Sequence, residues 1–384
     1  MEKPAAACYH LPGLFEFYEL YRRFLPLYRE HREYFYDWCT IGSIYGAPAG
    51  CIWGGGRISC GGATAREVLA LLWEYGISGR LTFSNSLLRA EHLADPQCNA
   101  LCERFAKSGS VPNGVIVHSD LLADYLQQRW PELYLVSSTT KVLTEFAELR
   151  QELEKPQFRY VVPDFRLNPA LEQLRTLPPE QKAKVEFLCN ECCWFGCTER
   201  KRCYETVSRQ NLGEDCPDHR CAAPDAAEGY RFSKAMRSPG FIGVEDIRQR
   251  YLPAGFSQFK IEGRGLGSAL VLEFLLYYMI KPEYQLQVRE AIYLDNMLDL
   301  FLENYTGQTT FCPVLFFVCG ICTGKLSFPG KACYNKQEII FKSCFWKRCA
   351  VLRKTAYRSS AWKQRKNRSY WAFWPMWTPA RPPF

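Results

Sequence analysis

Between residues 39 and 304, short apolar runs alternate with longer stretches whose apolar positions recur every three or four residues. The first kind of pattern predicts buried strands and the second amphipathic helices. Strand candidates fall at 39–45, 80–83, 114–119, 133–138, 159–164, 184–190, 240–244 and 257–263. Helical periods follow at 64–76, 96–107, 119–130, 143–154, 168–177 and 265–280, with Ser119 or Asp120 as a natural N-cap. Eight strands, most of them followed by a helix, predict an α/β chain built as a (β/α)8 TIM-barrel-like domain, a doubly wound sheet being the main alternative. The aromatic stretch before residue 39 is expected to be helical and to cap the barrel floor, giving a helical cap at 1–38 and a barrel at 39–304. Beyond residue 305 neither period persists, and 305–384 is expected to be a poorly ordered, irregular tail.

Charge divides the chain in the same place. Residues 305–384 hold 14 Lys and Arg against the single acid Glu338, together with half of the ten tryptophans. The chain's net charge is +8, so residues 1–304 are net −5. The body therefore offers no long phosphate-binding surface, although a basic aromatic tail suits single-stranded nucleic acid. No apolar run approaches the roughly 20 residues of a membrane span, and no charged leader opens the sequence. A cytoplasmic protein is expected. In that compartment, 19 cysteines are expected to be ligands or free thiols rather than disulfides.

Seven cysteines crowd residues 189–221: Cys189, Cys192, Cys193, Cys197, Cys203, Cys216 and Cys221. Thiolates gathered at short spacing are how proteins hold zinc or iron–sulfur clusters. This insertion begins where the sixth strand candidate ends, at the rim where barrels keep their chemistry. Other strand ends are also polar: Tyr45, Asn85, His118, Ser137 to Thr140, Asp164, Asn190 and Glu191. Strand alternation puts Lys260 and Glu262 on one lumen face, as an expected ion pair, and Arg264 with the glycines at 263, 265 and 267 offers an anion site at a helix start. There is no GxSxG elbow and no HExxH, and the five histidines are scattered, which argues against familiar hydrolase centres.

The segment FKIEGR at 259–264, preceded by AGFSQ and followed by a helix ending in tyrosines, resembles the signature of the collagenase-like unassigned peptidase family thirty-two. The cysteine segment NECCWFGCTERKRCYE with the later DCPDHRC resembles that family's cysteine quartet. The resemblance covers about residues 39–304. It implies a TIM barrel and either peptidase (hydrolase) activity or, as in several members, oxygen-independent hydroxylation or RNA modification with a 4Fe–4S cluster. By that resemblance Cys193 and Cys197 are ligands, joined by Cys216 or Cys221, with Cys203, Cys189 or Cys51 open as the fourth; zinc is the alternative metal. Lys260, Glu262 and Arg264 would position an anionic small-molecule or RNA substrate, Asp164 and Glu191 would carry protons, and Arg200 would offset the cluster's charge. A non-catalytic, zinc-stapled binding protein with a protein partner is the third reading.

Overall fold

A computed structural model describes residues 6–56, 62–191, 193–224, 226 and 232–292. Eight parallel strands run in the spatial order β6-β5-β4-β3-β2-β1-β8-β7. They are β1 (Ala7–Pro12), β2 (Cys39–Gly46), β3 (Ser78–Phe83), β4 (Gly114–Val117), β5 (Tyr134–Ser137), β6 (Phe158–Val161), β7 (Glu186–Leu188) and β8 (Gln258–Lys260). A parallel bridge between Val161 and Val185 joins the two outer strands, and the Val161 amide donates to the Lys184 carbonyl at 2.8 Å. The sheet thus closes into the TIM-barrel-like cylinder that the periodicity predicts.

One expected strand and the expected helical cap need correction. Residues before 39 are not all helical. Although α1 (Tyr18–Glu30) is a helix, β1 precedes it and pairs with both β2 and β8. The stretch 240–244 is not a strand, because Pro239, Gly240 and Gly243 interrupt it, and only the Ile242 amide reaches back to the Cys189 carbonyl, at 2.9 Å. The count of eight was right, with β1 standing in for the expected strand at 240–244. Expectations about the tail at 305–384 lie outside the described residues.

Three successive helices start where side chains satisfy their first amides. α2 (Ala65–Tyr75) opens on a capping box in which the Thr64 hydroxyl and the Glu67 carboxylate serve each other's backbone amides. Asp95 caps α3 (Pro96–Lys107) and Ser119 caps α4 (Asp120–Arg129), the latter as expected. Next come α5 (Phe146–Glu154), the one-turn helices α6 (Leu171–Leu174) and α7 (Pro179–Lys182), and α8 (Arg200–Asn211), which grows from the cysteine insertion. The chain continues through α9 (Phe232–Met236), α10 (Val244–Asp246), α11 (Ser268–Met279) and α12 (Gln285–Ile292). α11 is buried almost all round, as its unbroken apolar sequence requires.

Alternation along the strands sorts side chains into two cores. Outward residues such as Tyr9, Leu11, Leu81, Phe83, Phe187 and Phe259 pack under the helices. Inward residues Tyr45, Ile116, Val136, Val162 and Leu188 form an apolar layer across the lumen. Below that layer, toward the strand starts, the lumen is polar: His10, Ser43, Arg80 and Glu186 are all fully buried there.

Candidate functional site

The polar floor is held by Arg80, whose Nη1 lies 2.5 Å from Glu186 Oε2 while its Nε donates to the Tyr134 hydroxyl at 2.9 Å. Burial would raise the Glu186 carboxyl, but Arg80, then His10 and Lys260, hold it down at about 2. His10 is kept neutral, lowered to about 3 by burial and by Arg80. Its Nε2 donates to Gln258 Oε1 at 3.0 Å, so Nδ1 accepts from the Ser43 hydroxyl at 2.8 Å. Lys260 does not pair with Glu262. Its Nζ lies 3.5 Å from Glu186 Oε1 and 4.0 Å from the centre of the Tyr45 ring, and burial lowers it to about 8. Lys260 therefore belongs to the lumen below the apolar layer, and its carboxylate partner comes from the neighbouring strand. Glu262 is tied instead through its backbone, the amide donating to Asn190 Oδ1 at 2.8 Å and the carbonyl accepting from Asn190 Nδ2 at 3.2 Å.

At the opposite end, the mouth, Asp164 follows β6 and Glu191 follows β7; both are fully buried. They meet on one guanidinium at the first residue of α8. Arg200 Nε lies 3.1 Å from Asp164 Oδ2, and Nη2 lies 2.6 Å from Glu191 Oε2. Burial would weaken the Arg200 charge, yet Glu191, Tyr204 and Asp164 raise its pKa well above the usual arginine value. Among the described residues, Arg200 Nη1 is buried with no hydrogen-bond partner. The other oxygens fix the insertion: Glu191 Oε1 accepts the Cys193 amide at 3.0 Å, and Asp164 Oδ1 accepts from Arg166 Nε at 2.6 Å. Arg166 Nη1 in turn donates to the Cys197 carbonyl at 2.6 Å. Sequence reading named Asp164, Glu191 and Arg200 but missed Arg166. Its position two residues after Asp164, where a side chain folds back on its own turn, was the available signal.

From Arg200, α8 crosses the mouth to the loops after β2 and β3. Asn85 Nδ2 donates to the Ser208 carbonyl at 3.1 Å and to the Ile52 carbonyl at 2.8 Å, and Asn211 Nδ2 donates to the Gly54 carbonyl at 2.7 Å. Asn85 is thus a tether. Beside it, Gly54, Gly56, Thr82, Asn211 and Arg264 line a small cleft. Gly263 places Arg264 there: its φ of +148° and a Cβ position 2.8 Å from Val271 exclude any side chain. Arg264 Nε donates to Glu16 Oε1 at 2.8 Å. Gly55 serves close approach, since a Cβ would fall 2.1 Å from the Ser84 carbonyl.

A third grouping joins the ends of β4 and β5. His118 Nδ1 lies 2.9 Å from Thr140 Oγ1, which hydrogen-bonds Ser138 Oγ at 3.0 Å. Burial and Lys141 lower His118 to about 4. The turn ends at Val142 with φ 55°, a costly conformation for a β-branched residue.

The described cysteines of the expected ligand set lie in different surroundings. Among the described residues, no group of three or more His, Cys, Asp and Glu converges to hold a metal. Cys189 points outward with Phe187 into the helix-packed core, and Cys216 Sγ donates to the Thr206 carbonyl at 3.8 Å on α8. Cys203 lies on α8, Cys197 is buried, Cys193 is partly buried and Cys221 is exposed. Cys51 hydrogen-bonds Cys98 of α3. Cys192 lies outside the described residues. No helix among the described residues is long and apolar enough to cross a membrane.

The chain matches no family model and no curated protein. It is similar to the solved structure of the U32 peptidase Mk0906, with 14% identity and a TM-score of 0.44 over 68% of this chain and 95% of that chain.

Proposed function

We propose that this chain is a barrel enzyme acting at its C-terminal mouth on an anionic small-molecule or RNA-borne substrate. In this reading Asp164 and Glu191 hold and move protons, Arg200 positions both carboxyl groups, and Arg264 orients the anionic group. One observation carries it. Two carboxylates from different strand ends are fully buried on a single arginine that keeps one nitrogen without a partner among the described residues. Taking such charges out of water costs several kcal/mol per ion, and apolar residues would stabilise the rim as well or better. Chemistry is the better reason to keep them there. Lys260 and Glu262 support the site from below, through Glu186 and through Asn190. A 4Fe–4S cluster or a zinc ion would draw on Cys193, Cys197, Cys203, Cys216 and Cys221. As these thiols stand they do not fit either group, so no step is routed through a metal.

The test uses a host lacking the gene, complemented with wild type, Asp164→Asn or Glu191→Gln. RNA nucleosides and small metabolites are then profiled by mass spectrometry. Wild type should restore at least one species by ~100-fold or more over either variant, the usual worth of a positioned acid or base. Full restoration by both variants would sink the proposal.

A hydrolytic reading, as a peptidase, is favoured by the His118–Thr140 pair, an imidazole within hydrogen-bond reach of a hydroxyl beside a strained turn. Cleavage of casein or gelatin that disappears in Thr140→Val and His118→Gln, and survives in Asp164→Asn, would select it over the first reading.

A further inference from the structure

We propose that the cleft between the loop after β2 and Arg264 binds an oxyanion, the phosphate or carboxylate group of the substrate; this rests on the mouth being where an anionic substrate works. Thr82 is the first sign. It points into the lumen one layer above Arg80, is only 5% exposed and lines the cleft, yet its Oγ1 has no hydrogen-bond partner among the described residues. Buried hydroxyls are almost always satisfied, and one that is not, at the wall of a cleft, marks a partner supplied from outside the chain. The second sign is the opposite wall. Gly54 and Gly56 leave backbone where side chains would otherwise crowd the space. A Cβ on Gly56 would sit 3.4 Å from Arg264 Nη1, and one on Gly54 would sit 3.0 Å from the Cys51 carbonyl and 3.3 Å from Asn211 Nδ2.

Arg264 supplies the charge. Its Nε is committed to Glu16, which fixes the plane of the guanidinium and turns the Nη edge along Gly56. Glu16 offsets part of the positive charge, so binding depends on directed donors as well as on net attraction. The buried Thr82 hydroxyl is a donor of that kind. The cleft is small, about the size of one water molecule, so it takes an oxygen of the anionic group rather than the whole of it. Neither Asp164 nor Glu191 lines it.

The experiment measures thermal unfolding and calorimetric binding with inorganic phosphate and, separately, sodium acetate at constant ionic strength. Wild type, Thr82→Val, Gly56→Ala and Asp164→Asn are compared. Thr82→Val is nearly isosteric and deletes an unsatisfied group, so its unfolding temperature without anion should be at or above that of wild type. Wild type should bind phosphate or acetate, and the anion that binds tells which group the cleft takes. Thr82→Val should weaken that binding by about tenfold, the worth of one hydrogen bond to a charged group. Gly56→Ala should weaken it at least as much, and Asp164→Asn should leave it unchanged. Absence of binding to wild type by both anions overturns the proposal, and so does binding that Thr82→Val and Gly56→Ala leave intact. Because Asp164→Asn keeps the cleft, failure of the proton-transfer reading and failure of the cleft give different results.

Discussion

His10 shows how one side chain can shape the behaviour of the barrel. It is held neutral at about 3, whereas an unfolded histidine titrates near 6.5. As pH falls below 6.5, the unfolded chain takes up a proton that the folded chain refuses until about pH 3. Stability is therefore full above pH 6.5 and is lost on the way down. Glu186, held at about 2, adds a similar loss, but only below the ordinary carboxylate range near 4.5. The window from pH 6 to pH 5 belongs to histidines, of which His118, at about 4, is the other that is held down. His10→Gln keeps a hydrogen-bonding amide beside Ser43 and removes one titration. Urea unfolding across that window should show a slope shallower by roughly 1.4 kcal/mol per pH unit than wild type. An unchanged slope would mean that His10 takes its proton in the folded lumen. The ion pairing around His10 was not legible in the sequence. Lys260 and Glu262 share a face by alternation, but Glu186 reaches Lys260 only because β7 lies beside β8, an adjacency created by closure of the cylinder.

At the scale of elements, much was readable. Most of the alternating strands and helices fall where periodicity puts them, and the Ser119 cap is where a short polar side chain precedes an apolar run. β1 was hidden because its inward residues, Cys8, His10 and Pro12, face a polar lumen and its outward stripe is only Ala7, Tyr9 and Leu11. The path of α8 was hidden too. Its helical sequence is visible, but its route across the mouth depends on Asn85 and Asn211, two amides far apart in sequence. That route has a measurable consequence. Asn85→Ala removes bonds to Ser208, Ile52 and the Leu87 amide, and losing buried bonds of this kind costs about 1–2 kcal/mol. If α8 opens as its own unit, amide exchange in residues 200–211 should quicken roughly 5- to 30-fold while the strands keep their protection. Equal acceleration in α8 and the barrel would show that the helix is not separable and that the mouth opens only with the whole fold.

For the molecule as a whole, the cysteines report on both fold and cofactor. The described thiols differ sharply in environment. Burial raises Cys189 well above the ordinary thiol range and pushes Cys39 to about 11, although Arg32 opposes the shift at Cys39. Cys98 and Cys102 are raised and buried on α3. A thiol that is both protonated and enclosed reacts only when the structure opens. In a timed alkylation by iodoacetamide near neutral pH, mapped by peptide mass spectrometry, exposed Cys221 should react first. The partly buried Cys193, Cys203 and Cys216 should follow. Cys39, Cys98, Cys102 and Cys189 should lag by a factor on the order of 10³ or more, set by global stability. The density of cysteines at 189–221 is what made a metal centre legible, yet alternation sends Cys189 outward and Cys216 is bonded to α8. The same alkylation, repeated after treatment with an iron and zinc chelator under anaerobic conditions, separates these accounts. Thiols arranged as described keep their order and rates. A set drawn from Cys193, Cys197, Cys203, Cys216 and Cys221 that is protected together, and released together by the chelator, would show that bound metal rearranges the insertion into the ligand set expected from the spacing.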